Sequence, residues 1–257
     1  MIIDCHTHIG GGAASGEHLA GIEGIDGCIV LAEAVGVSKD ANKSLSEYVS
    51  RYLKKMFGFA VVNPVVDDIS VKNFTNIKDR MKLDGAVLYP SEHGFNPTHS
   101  RAMQFYETAS ELSMPIFFHN TGPLSAGAVL SYANPVWIDE IAQKFGDLKI
   151  IIGGMGKPFL NQTLCVIGKC ENVYADLTIE PAKVWEVYNT VVSAYEAGVM
   201  DKLIFGSGQP IGNPQACIET LLGFNKIVGD TSLPRVPREK IREIIERDSL
   251  ELLGIDH

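Results

Sequence analysis

Two histidines one residue apart stand in the opening run Asp4-Cys5-His6-Thr7-His8. On a β-strand, side chains at i and i+2 share a face. Asp4, His6 and His8 therefore fall on one side of a strand, with both imidazoles at its C-terminal end. That is how a backbone offers two nitrogen ligands to one divalent metal. The bland alternative is two polar residues at a solvated strand end. Asp4 suits a carboxyl lying beneath the histidines and orienting them. Cys5 and Thr7 alternate with the histidines and read as outward packing residues.

A third histidine, His119, ends the apolar run Pro115-Ile116-Phe117-Phe118. Three neutral imidazoles can hold zinc with one position open, and zinc so held lowers the pKa of water to about 7. A positioned proton acceptor adds a factor of about 10²–10⁴. The candidates are Glu92, His93, Asp176 and Glu180. Glu92, His93 and Glu180 have the plainer reading of solvated loop residues. Asp176 lies inside a strand, where a carboxyl is costly unless paired, so a purely structural hydrogen-bonded role competes with a role in the site. His93 follows the strand ending at Tyr89 and is the best placed, as acid–base group or as fourth ligand.

Short apolar runs able to position these residues recur along the chain: Ile2–His6, Gly27–Ala32, Gly58–Asn63, Gly85–Tyr89, Pro115–His119, Lys149–Gly153, Val173–Leu177 and Leu203–Gly206. They lack strict alternation, as strands covered on both faces do. Between them the spacing is helical, as in Leu45, Tyr48, Val49 and Tyr52, or Ile138, Ile141 and Ala142. A last helix is expected over Arg238–Leu253, stopped by Gly254. Eight β–α units over 257 residues, with no break in composition, predict one domain: a single α/β (β/α)₈ TIM barrel over residues 1–257. The rival is an open doubly wound sheet. No Gly-x-Gly-x-x-Gly supports it, since Gly10-Gly11-Gly12 follows two histidines and opens no clear helix. In a barrel the C-terminal strand ends share one mouth, where chemistry sits.

The net charge of −9 argues against nucleic acid and anionic membrane surfaces. No apolar run reaches the ~18 residues of a membrane span. Five cysteines without Cys-x-x-Cys suit a reducing cytoplasm, with Cys28 a small buried hydrophobe. His18 and His257 read as solvated and His99 as a surface residue at a helix start. Trp137 and Trp185 read as core or interface.

Six pieces in order resemble the amidohydrolase superfamily, in particular its branch of aminocarboxymuconate-semialdehyde decarboxylase and 2-pyrone-4,6-dicarboxylate lactonase relatives. They are Asp4-Cys5-His6-Thr7-His8, Gly58-Phe59-Ala60-Val61-Val62-Asn63-Pro64, Leu112-Ser113-Met114-Pro115-Ile116-Phe117-Phe118-His119, Ile150-Ile151-Ile152-Gly153-Gly154-Met155-Gly156, Asn172-Val173-Tyr174-Ala175-Asp176 and Leu203-Ile204-Phe205-Gly206-Ser207-Gly208-Gln209-Pro210. The resemblance implies that His6 and His8 bind a divalent metal, usually zinc, and that His119 completes the cluster. It also places Gly154 where the family has a histidine in Ala-His-x-Gly. Gly208 stands where the family has an aspartate in Gly-Ser-Asp-x-Pro. That aspartate normally touches the metal and takes a proton from the attacking water. The two glycines should leave extra volume for a ligand, or for Met155 and Gln209.

Two functions follow as expectations. One is a metal-dependent hydrolase or decarboxylase of a small molecule, with an atypical or weakened site. The other is a non-catalytic barrel that binds a small molecule or a partner. Many relatives form dimers, so a homodimer is one expectation, and the oligomeric state stays open. Lys157, just after the sixth strand, is the nearest cation for a substrate carboxylate.

Overall fold

The computed structural model describes residues 1–9, 14–34, 38–119 and 124–257. The Gly10-Gly11-Gly12 run and Asn120 lie outside these residues. Eight parallel strands form one sheet in chain order: β1 (Ile3–Thr7), β2 (Gly27–Leu31), β3 (Met56–Val61), β4 (Leu83–Leu88), β5 (Ile116–Phe118), β6 (Ile150–Ile152), β7 (Val173–Thr178) and β8 (Leu203–Gly206). Helices fill the connections, giving a (β/α)₈ TIM barrel. The strands are buried almost without interruption because both their faces are covered, which is why they read as apolar runs.

The ends of the sheet meet at the mouth rather than along a regular ladder. Thr7 bridges Gln209 in parallel, the His8 amide donates to the Gln209 carbonyl at 2.8 Å, and the Gly208 amide donates to the His6 carbonyl at 2.9 Å. Asp4 reinforces this seam from below. Its Oδ1 accepts from the Ser207 amide at 2.9 Å and from the His6 amide at 3.1 Å. Asp4 thus ties β1 to the chain after β8 and does not orient an imidazole ring. Its other oxygen is buried without a partner, and burial pushes the carboxyl up to about 6.

Three local expectations are corrected. His18 is buried, with Nδ1 2.9 Å from the Tyr48 hydroxyl and Nε2 3.0 Å from Thr7 Oγ1. Thr7 donates to the Ile29 carbonyl, so its oxygen is left to accept from His18. The helix Ala14–Gly21 is pinned to β1 by this chain, and burial lowers the His18 pKa to about 4. Trp185 is 70% exposed on the first turn of the helix Val184–Glu196, so of its two expected places the core is ruled out. The last helix is two, Arg238–Ile245 and Ser249–Leu253, because the Asp248 side chain caps the second by accepting from the Glu251 amide. Its end at Gly254 is left-handed, at φ 71°.

Candidate metal centre

His6, His8 and His119 point their Nε2 atoms at one another above the end of the barrel core. The three separations are 3.2 Å, 3.2 Å and 3.1 Å. His6 lies on β1 and His8 directly after it, and β1 bulges between Asp4 and Thr7 where three steps match two on β2. Bulges re-aim side chains beside sites of this kind. His119 follows β5, and its ring lies 4.6 Å from that of Tyr89.

The far nitrogens of His6 and His8 are committed. His8 Nδ1 lies 3.2 Å from the Leu31 carbonyl, which can only accept, so the proton sits on Nδ1. His6 Nδ1 lies 2.6 Å from Asp176 Oδ2. Both rings therefore aim an Nε2 lone pair inward. Burial lowers the His8 pKa to about 3, with His6 adding to it, and takes His119 well below the ordinary range. Both are neutral at pH 7, as metal ligands must be. Lone pairs converging on one point repel unless a cation sits there. Three nitrogens on one tetrahedral zinc at 2.0–2.1 Å stand about 3.3–3.4 Å apart, close to the spacing found. The three histidines fit one divalent ion.

Asp176 sits behind His6, wholly buried. Its Oδ2 also accepts from the Gly154 amide at 2.9 Å, and Thr178 Oγ1 lies 2.6 and 2.7 Å from its two oxygens. A carboxyl so engaged fixes its neighbours. Gly206, opposite Thr178 on β8, makes the approach possible: a Cβ there would stand 2.0 Å from Asp176 Oδ1 and 2.9 Å from His6 Cβ. Gly154 binds Asp176 through its backbone at φ 53°.

A cavity of about 350 Å³ opens over the triad. Glu33, Tyr89, Lys157, Thr178, Glu180 and Gly208 are among the residues that line it, all from C-terminal strand ends or the chain just beyond. Glu180 pairs with Lys183 at 2.7 Å, and Lys157 pairs with Glu186 while donating to the Thr178 carbonyl at 3.2 Å. Glu92 accepts from Ser125 through its side chain, away from this wall. His93 is not in the lining. It sits behind Tyr89, ring centroids 5.8 Å apart, and its Nε2 lies 3.3 Å from the Ala34 carbonyl. Met155 is buried outside the cavity, and Gln209 turns away to donate to the Glu17 carbonyl at 3.1 Å. Neither fills the mouth.

The structure thus brings together His6, His8 and His119, sets Asp176 behind them and Glu180 on the wall, and leaves His93 apart. Sequence reasoning missed Glu33, whose only signal is its position two residues past the end of β2.

The solved structures similar to this chain include three enzymes at low identity. A probable 2-pyrone-4,6-dicarboxylic acid hydrolase of Acinetobacter baumannii, with citric acid bound, is 15% identical with TM-score 0.69, covering 99% of each chain. The 2,6-dihydroxybenzoate decarboxylase of Rhizobium is 13% identical with TM-score 0.70, covering 98% of each. A dihydroxybenzoic acid decarboxylase of Polaromonas sp. JS666, with manganese and 2-nitroresorcinol bound, is 15% identical with TM-score 0.65, covering 98% of this chain and 96% of that one. No curated protein matches significantly. The amidohydrolase family model matches residues 3–241, and the chain belongs to the amidohydrolase family.

Proposed function

We propose that this chain is a metal-dependent hydrolase of small molecules, with His6, His8 and His119 holding one divalent ion. The observation that carries the reading is the triangle of Nε2 atoms at 3.1–3.2 Å beneath an open cavity. A bound ion supplies Lewis-acid polarisation of a carbonyl and acidifies water to a pKa of about 7. The three-nitrogen donor set suits zinc; manganese is the ion held by the Polaromonas decarboxylase.

The chain's own residues do the rest. Asp176 keeps the His6 proton on Nδ1, and the Leu31 carbonyl does the same for His8. Lys157 offers a cation on the cavity wall to an anionic group of the substrate. Gly154 and Gly208 contribute no side chain, so a proton acceptor comes from elsewhere on the wall. A decarboxylase reading uses the same ligands, and the fold shared with the two decarboxylases favours keeping it in view.

The test is metal analysis of protein purified after growth with zinc or manganese, followed by a screen of lactones, small amides and aromatic acids. Stoichiometric metal with lactone or amide turnover supports the hydrolase. Carbon dioxide released from aromatic acids makes it a decarboxylase. A chain that retains neither metal is a non-catalytic barrel.

A further inference from the structure

The segment just past β2 is stitched in place by rings of the site. His8 Nδ1 donates to the Leu31 carbonyl at 3.2 Å, the Tyr89 hydroxyl to the Ala32 carbonyl at 2.8 Å, and His93 Nε2 reaches the Ala34 carbonyl at 3.3 Å. The backbone is thereby held on both sides of Glu33. The Glu33 side chain itself has no hydrogen-bond or ion-pair partner among the described residues, and it lines the cavity. The other carboxyls near the triad are engaged: Asp176 with His6, Gly154 and Thr178, and Glu180 with Lys183.

We propose that Glu33 is the catalytic proton acceptor of this centre, an inference that rests on the hydrolase reading above. As the attacking water forms its carbon–oxygen bond at the scissile carbonyl, one of its O–H bonds breaks and the proton passes to a Glu33 carboxylate oxygen. When the bond to the leaving group breaks, Glu33 returns that proton to the departing oxygen or nitrogen. Water has then been added across the bond and the carboxylate is regenerated.

The test is a proton inventory. Acetohydroxamic acid, which loses a proton when it chelates a metal, is titrated by calorimetry into the zinc-loaded full chain, in two buffers of different ionisation enthalpy, at a pH about one unit below the value of about 7 at which zinc-bound water ionises, so that water and not hydroxide is displaced. The parent should release close to zero protons to buffer, because Glu33 keeps the proton. Glu33→Gln should release about one, with an unchanged melting temperature. Equal release from parent and Glu33→Gln overturns the role of Glu33 and leaves the metal centre standing. Failure of the zinc-loaded parent to bind the hydroxamate overturns the metal-centre reading, and the role of Glu33 with it.

Discussion

His6 Nδ1 and Asp176 Oδ2 stand 2.6 Å apart across the top of the barrel, though 170 residues separate them in the chain. The contact commits the His6 tautomer, and a carboxyl behind a ligating histidine also raises its basicity. Asp176→Asn keeps an acceptor but loses the acid's two equivalent oxygens, which the Gly154 amide and Thr178 both use. Zinc affinity, measured by chelator competition, should fall about 10–100-fold. An unchanged affinity would remove Asp176 from the site.

Gly206 is demanded by that same contact. A methyl group there meets Asp176 Oδ1 at 2.0 Å. Gly206→Ala must push the carboxyl off His6 or bend β8. Urea unfolding should show a loss of about 1–3 kcal/mol, the usual cost of overpacking. Metal affinity should drop with it, while Gly146→Ala, at a position where a Cβ meets nothing within 4 Å, should change neither.

Gly208 poses a conflict between strain and chemistry. Its φ is +68°, and a Cβ would stand 2.8 Å from Thr178 Cγ2. Gly208→Asp should therefore lower stability by about 1–2 kcal/mol, and so should Gly208→Ala. The pair separates the two effects. If a carboxylate at this position takes up a proton, the aspartate variant should turn over substrate on the order of 10²-fold faster than the alanine variant. Equal rates would show that the carboxylate does not reach the chemistry.

Asp84 gives the fold a pH signature far from the metal centre. Burial pushes this β4 carboxyl from 3.8 up to about 6, although the Gly58 amide donates to it at 3.1 Å. The folded chain then binds the proton more tightly than the unfolded chain. Stability therefore falls as pH rises between 3.8 and about 6, and the full penalty persists above. Asp84→Asn should stabilise the protein by about 2–3 kcal/mol at pH 7, the scale of a shift of about two units, and leave it unchanged near pH 3. A difference that does not vary with pH would point to packing instead.

The barrel was legible in the sequence because strands buried on both faces leave apolar runs that need no partner to be recognised. The triad was legible because alternation puts His6 and His8 on one face and a second strand ends at His119. Alternation names a face, however, and not a partner. Asp4 shares the histidine face yet bonds backbone amides, while the ring of His6 is met by Asp176 from β7. His18 has no periodic signature, since its partners Thr7 and Tyr48 lie on different elements. The segment that carries Glu33 was invisible for a related reason. It is held through carbonyls, which every residue has and no letter of the sequence records.

The seam between β1 and β8 has a consequence for folding. Its hydrogen bonds join residues 6–8 to residues 208 and 209, so the stretch that seals the barrel is also the stretch that presents His6 and His8. Contacts between the two ends of a chain carry a large loop-closure cost and depress folding rates. An ion that binds only the assembled triad adds its binding free energy to the sealed form, by about 2.7 kcal/mol at a hundred times its dissociation constant. In this chain a ligand for the site is at the same time a latch for the barrel, and its occupancy can be followed as resistance of the two terminal strands to hydrogen exchange.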